Sequence, residues 1–436
     1  MGTRAEVAHL LRRATFGPRS QDIDAAERAG YAATVTALLA PGAADAGAAG
    51  TPVPKFGTDP LAVLPKNADR AARQEAEQQV RDQVQTIVGW WLDRLVAADH
   101  QLAEKLTFFW HGHWATSAEK VKSAVAMLRQ QQTFRDLGYG DFGPFLKAMF
   151  RDPALILWLD GQQNTRAAPN ENLARESMEL FTLGIGTYTE ADVRAAARAL
   201  TGWQVRRGDP TATFNPQRHD TGVKTLLGHT GPYDTDGYAD LLLGHPAHPR
   251  FLASRLWFRY ASSDPPPAGV IDRLAAAYRP GHDVRTLLQA LFTDPAFPAT
   301  ALGLVKQPVE WAVGAMRQLG IRPATLTDAA RRQLIRGITA LGQTPFAPPS
   351  VGGWPAGAAW LSTSATEYRV QLGTFLASHT SQPVLDELAR GKVDALARLL
   401  VVEGFTDRTR AVLGGAGKDP KALLALGLAS PEYAVC

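Results

Sequence analysis

Apolar residues recur at helical spacing along most of this 436-residue chain, while the alternation of a half-buried strand is scarce. In AEVAHLLRRATF, Val7, Leu10, Leu11 and Ala14 stand at i, i+3, i+4 and i+7, which lines one face of a helix. From 70 to 100 the pattern predicts one long helix with Val88, Trp91, Leu92 and Leu95 turned inward. Helices are also expected over 118–137, 143–159, 236–262, 269–279, 284–293, 306–319, 326–341 and 365–378. Ser20 reads as an N-cap, and Pro41 as the end of the helical stretches that follow it. ENLARESMELFTLGIG should be a helix stopped by Gly184 and Gly186, and TEADVRAAARALTGW opens on a Thr189/Asp192 capping box. Residues 204–235 are rich in turn formers and have room for a small hairpin. The expected fold is all-α, with ordered irregular loops and at most a small β-hairpin. It forms a single domain over 1–436, with two lobes and a flexible Gly/Ala/Pro loop at 41–60. FLKAMFRDPAL (145–155) faintly echoes LLQALFTDPAF (287–297), each a helix stopped by Asp-Pro.

Composition narrows the function classes. The chain is 45% hydrophobic and 20% charged, too apolar for disorder. Its net charge is only +4 and no basic block is interleaved with aromatics, so no nucleic-acid partner is expected. The single cysteine, Cys436, permits neither an internal disulfide nor a cysteine metal site. No apolar run reaches the 18–20 or so residues that span a bilayer. The first residues carry no signal-peptide pattern. The expected location is cytoplasmic as the chain stands, or extracytoplasmic if an export signal has been removed.

Four segments could carry chemistry. In WHGHWATS, His111 and His113 flank Gly112, and on a non-helical backbone both imidazoles would point the same way as a metal pair. The plain alternative is stacking on Trp110 and Trp114. In PNENLARESMELFTLG, Glu176 and Glu179 stand three apart, the spacing for shared metal binding or acid–base work. Alternatively Arg175 bridges Glu171 and Glu179 as ordinary helix pairs. In RHDTGVKTLLG, His219 could complete a metal sphere, and Asp220 and Lys224 could contact an anionic substrate, although Asp-Thr-Gly is also a good turn. In GQTPFAPPSVGGWPAGAAW, a long rigid loop offers Trp354 and Trp360 to a pocket or to the core.

Seven blocks in order carry a resemblance: HLLRRATFGPR (9–19), EKLTFFWHGHWATSAEKV (104–121), NENLARESMELFTLGIGTYTEADVRAAARALTGW (170–203), HDTGVKTLLG (219–228), HPAHPRFLASRLW (245–257), VKQPVEW (305–311) and GQTPFAPPSVGGWPAGAAWL (342–361). The chain resembles the bacterial family catalogued as domain of unknown function 1800. That resemblance implies a mostly helical protein of this length, often exported, with genes beside those of a sulfatase- and phosphatase-like family. It implies no activity. From the residues, the leading expectation is a metal-dependent enzyme, a hydrolase by default or a non-haem metal oxidoreductase. A divalent metal would sit on His111, His113, Glu176 and His219. Glu176, Glu179, Arg175 and Lys224 would act in catalysis on an anionic small-molecule or polymer substrate. Asn170, Asn172, Trp110, Trp354 and Asp220 would bind it. Two alternatives stand beside this: a non-catalytic binding or maturation protein acting on a protein partner, and a metal-free enzyme using Glu176 and Glu179.

Overall fold

The computed structural model describes residues 2–40 and 44–436. Among these residues the regular structure is almost all helix, as the periodicity predicts. Arg4–Ala14 buries Val7, Leu10, Leu11 and Ala14, and the long helix Arg70–Ala97 buries Val88, Trp91, Leu92 and Leu95. The Thr189 capping box forms in both directions, at 2.9 and 3.2 Å. Ser20 is the first helical residue rather than the cap. Arg19 precedes it, and the Asp22 carboxylate accepts from the Arg19 N–H at 2.8 Å.

Several expected helices are broken where local chemistry competes. The 118–137 stretch divides at Lys122, which adopts a left-handed conformation, and Ser123 caps the second half. Asp152-Pro153 divides 143–159, and His245-Pro246 divides 236–262, because proline cannot continue the helix before it. After Asn172–Glu176 the next turn, Ser177–Thr182, widens to π geometry. Two hairpins form where one at most is expected. Trp203–Arg206 pairs with Thr211–Phe214, and Lys224–Leu226 with His229–Gly231, both antiparallel. The second turns through Leu227 and Gly228, both at positive φ.

Pro41 and residues 42–43 of the expected 41–60 loop lie outside the described residues. The remainder is pinned rather than free. Asp45 accepts from the N–H groups of Ala48, Asp99 and His100, and Trp90 donates to the Thr51 carbonyl. The faint echo has a structural counterpart. Asp141 and Asp283 each cap the helix of their copy, and the two residues form an antiparallel bridge.

The apolar core divides into two large clusters, and the helix Gln101–His113 belongs to both. Leu102, Leu106, Phe109 and Trp110 face one cluster, and Phe108 faces the other. This helix also carries two adjacent buried charges. Glu104 pairs with Arg94 at 2.6 Å and with Arg135 at 3.0 Å. Lys105 pairs with Glu310 at 3.0 Å, and Arg259 reaches the same carboxylate at 2.9 Å. Glu310 belongs to helix Pro308–Leu319 and Arg259 to helix Ala247–Tyr260, so one carboxylate joins three helices.

Buried titratable groups predict how stability depends on pH. Burial pulls the imidazoles of His9, His111 and His113 down to about 3 and that of His248 to about 4. Below about pH 6.5 the unfolded chain therefore takes up protons that the folded chain refuses, and stability falls with falling pH. Asp152 acts in the opposite sense. Burial raises its carboxyl to about 7, so it contributes a loss of stability as pH rises from 3.8 towards that value. Four imidazoles outweigh one carboxyl. The urea-unfolding free energy is expected to rise from about pH 4.5 to about pH 6.5, and Asp152→Asn is expected to steepen that rise.

Candidate functional site

The helix does not stop at Gly112 but runs on through His113. Residues two apart on an α-helix point roughly 200° from each other. His111 and His113 therefore face opposite ways, and the shared metal pair expected from an extended backbone does not form. Nor do they simply stack on the flanking tryptophans. His111 packs against Trp91, Phe346 and Trp354, whereas His113 lies among Phe109, Trp110, Trp114, Phe181 and Phe251.

His111 anchors a loop. Its Nε2 accepts the Phe346 N–H at 2.9 Å, which places the ring proton on Nδ1. Phe346 itself is buried at positive φ, and its carbonyl accepts from the Ala118 N–H at 2.8 Å. Seven residues on, Gly353 (φ 83) crosses the helix so closely that a Cβ would lie 2.6 Å from the Gly112 carbonyl oxygen. The loop from Gln343 to Gly357 is thus clamped onto the end of the histidine helix. Beneath it lies a cleft lined by Phe109, His113, Arg255, Arg259, Gln307 and Trp354, with about 70 Å³ open to a water-sized sphere. A smaller cavity of about 30 Å³ shares Arg259, Gln307, Phe258 and Ala356 and continues to Arg13, Lys105, Glu310 and Cys436.

This centre holds more positive charge than its one buried carboxylate balances. Glu310 is fully committed: it accepts from Arg259, the Gln307 N–H and Lys105, and despite burial those cations hold its carboxyl well below the usual range. Lys105 also donates to the carbonyls of Arg12 and Thr15. Arg13 donates to the Thr300 carbonyl and, at 3.6 Å, to Cys436 Sγ. Burial pulls Lys306 down to about 7, with its Nζ over the Tyr433 ring and Cys436 pushing the other way. Arg255, one turn before Arg259, has no hydrogen bond or ion pair among the described residues. Its Nε is sealed from solvent without a partner, and burial alone lowers its pKa. Arg255 as a whole is only part-buried and its terminal nitrogens are not sealed, so an unpaired guanidinium that keeps its charge is free to meet an anion at the cleft.

Two further groups at the cleft have defined hydrogen-bonding character. Gln343 accepts the Val309 N–H and donates to Gln307 Oε1 at 2.7 Å, so the Gln307 amide turns its NH2 away from Gln343. His113 Nε2 donates to the Phe181 carbonyl at 3.0 Å, and Nδ1 is buried without a partner. A carbonyl only accepts, so Nδ1 carries a bare lone pair.

The other expected site residues lie apart from this centre. Among the described residues no group of three or more His, Cys, Asp or Glu is placed to hold a metal ion, so His111, His113, Glu176 and His219 do not assemble. His219 Nδ1 is bonded to Thr201. Lys224 and Asp220 are structural: Lys224 is buried and donates to the carbonyls of Asp220 and Gly222, and Asp220 pairs with Arg198. Trp110 is fully buried and donates to the Gly138 carbonyl, so it cannot touch a substrate. Arg175 bridges Glu171 and Glu190, not Glu179. Asn170 accepts from the Asn172 N–H, and Asn172 is exposed. Glu176 ends the α-helix and Glu179 lies in the widened turn that follows; Tyr188 donates to Glu179 at 2.7 Å, while Glu176 has no hydrogen bond or ion pair among the described residues. Burial first and the Glu179 charge second raise the Glu176 carboxyl. Trp354 is the one expected binding residue that lines the cleft.

Lys105, Arg255, Arg259, Gln307 and Glu310 are absent from the expected site. Lys105 and Glu310 are charges at inward positions of apolar helices, which seldom happens unless they are paired or binding, and that signal was available. A larger cavity of about 460 Å³ lies against Ala25, Ala29, Ala33 and Ala37. Its arginines already have partners, Arg19 in Asp22 and Arg317 in the carbonyls of Gly17 and Val96, so nothing there calls for a ligand.

Fold and site together define a mostly helical protein with a roofed, cation-rich cleft at the seam of two cores. The chain belongs to the family described as proteins of unknown function (DUF1800), whose profile matches residues 9–435. No curated protein and no solved structure matches it. Five of the seven sequence blocks meet at this centre, contributing Arg13, Lys105, Arg255, Glu310 and Trp354 in turn.

The loop anchor makes a direct prediction. His111→Phe keeps the aromatic packing but strands the Phe346 N–H, at a cost of about 1–3 kcal/mol. Hydrogen exchange is expected to accelerate across 343–354 in this variant, with the 70–97 helix unchanged.

Proposed function

We propose that this chain is an anion-binding protein whose cleft captures a compact oxyanion at Arg255, beneath the loop that His111 anchors. The observation that carries this reading is Arg255 itself, a guanidinium facing a cleft with no protein counter-charge. Arginine presents a planar fork that matches a carboxylate, phosphate or sulfate edge. Arg259 and Lys105 add positive potential from behind while their own contacts to Glu310 keep them in place. The anion contacts expected of Arg175 and Lys224 pass to this cluster, because both of those side chains are already paired.

Thermal unfolding in the presence of sodium phosphate, sulfate, acetate and chloride tests the reading. An oxyanion at about 100 times its Kd should stabilise the protein by about 2.7 kcal/mol, and chloride at matched ionic strength should not. Arg255→Met is expected to abolish that response while leaving the ligand-free protein as stable as before or more so, since it removes an unpaired charge. Loss of stability in ligand-free Arg255→Met, with the anion response retained, would contradict the assignment.

A second reading, acid–base hydrolysis at Glu176 and Glu179, is supported by the unpartnered, raised Glu176 beside a Glu179 held by Tyr188 on a π turn. In that case Glu176→Gln removes hydrolysis of any ester the protein turns over and leaves the oxyanion response intact.

A further inference from the structure

One helical turn separates Arg255 from an aromatic ring that the fold leaves in water. Phe258 stands three residues after Arg255 in the helix Ala247–Tyr260, so the two side chains are neighbours on its surface. Both line the cleft beneath the loop. Leu256 and Trp257, between them, turn into the core, whereas Phe258 is 40% exposed. Phe258 also lines the smaller cavity that continues to Arg13, so its ring borders both spaces. Trp354, from the loop, is a second aromatic in the lining of the cleft. Arg255 has no ion pair or hydrogen bond among the described residues, and its terminal nitrogens are not sealed. A free inorganic anion would use the guanidinium and leave the neighbouring ring bare. An anion with an apolar body attached uses both: the fork takes the charged head, and the ring takes the body. The space agrees. About 70 Å³ open to a water-sized sphere takes the head, and the exposure of Phe258 puts its ring at the mouth, where the body need not be enclosed.

We propose that the cleft takes a small organic acid with an aromatic body next to its carboxylate, with Arg255 holding the carboxylate and the body covering Phe258. This rests on the anion-binding reading and adds to it the class of ligand. Arg255 makes the ligand an anion, and Phe258 decides which anion. Covering roughly 55 Å² of apolar surface corresponds to about a tenfold gain in affinity, and one face of a phenyl ring against another supplies that much. Phosphate brings no apolar surface to the ring, and acetate brings only a methyl group.

Isothermal titration calorimetry on the full chain at about pH 7.5, with sodium phenylacetate, acetate and phosphate as titrants in a chloride medium, tests the proposal. Phenylacetate is expected to bind about tenfold more tightly than acetate and to be displaced by phosphate. A preference below about threefold overturns the ligand class while leaving the anion cleft standing. Phenylacetate that phosphate does not displace sits elsewhere, which overturns it equally. Absence of binding by all three overturns the anion reading itself. Phe258→Ala changes a partly exposed side chain and is expected to bring phenylacetate down to the acetate level, with acetate and phosphate unchanged; a folded variant that keeps the preference refutes the role of the ring. Arg255→Met is expected to abolish binding of all three. Should Phe258→Ala not fold, the wild-type protein still decides. Nuclear Overhauser contacts between the phenylacetate ring and Phe258 are expected at saturation, and their absence there refutes the contact.

Discussion

Three helices meet at the Glu310 carboxylate. Lys105 brings the histidine helix to it, Arg259 brings the helix Ala247–Tyr260, and the Gln307 N–H closes the start of Glu310's own helix. A buried ionic node of this kind contributes little net stability over a well-packed apolar substitute, yet losing one partner leaves uncompensated charge in a low-dielectric interior. Its value lies in geometry: two apolar cores could slide against each other at many nearly equal registers, and the node admits one. The arrangement also sets up the site. Once Glu310 is saturated by Lys105 and Arg259, no carboxylate remains for Arg255, and an unpaired guanidinium is left facing the cleft.

The paired histidines follow from the same seam. A helix that belongs to two cores sends successive side chains into different surroundings, so imidazoles two apart acquire separate tasks. His111 reaches the loop and holds Phe346 in a conformation that a non-glycine residue does not favour. His113 reaches the Phe181 carbonyl at the end of the π turn, and its other ring nitrogen is buried without a partner. Gly112 matters for its exposed carbonyl, against which the backbone of Gly353 lies, and not for any freedom of its own backbone. Roof, wall and floor of the cleft are therefore coupled through one helix turn.

The expected site residues do not gather in one place, for an identifiable reason. Glu176, Arg175, Asp220 and Lys224 stand out in the sequence because they are charged residues in motif-like surroundings, but folding gives most of them partners. Lys224 meets two turn carbonyls, Asp220 meets Arg198, and Arg175 meets Glu190 from the next helix. Arg255 looks ordinary in FLASRLW, and it becomes significant only because nothing in the fold pairs with it. Whether a charge is satisfied is a property of long-range neighbours, and no local pattern reports it.

By itself the sequence determined the helical class, most helix positions and the Thr189 capping box, because periodicity, capping chemistry and proline act over a few residues. It also showed a faint echo between 145–155 and 287–297, while only the fold revealed the bridge between Asp141 and Asp283. Only the tertiary structure decided that Gly112 continues a helix, that the two imidazoles part company, and that the second hairpin forms. It alone decided that Arg255 is left without a counter-charge at the cleft. Those outcomes depend on which distant groups share one low-dielectric space, where an unpaired charge or lone pair is costly enough to define a site.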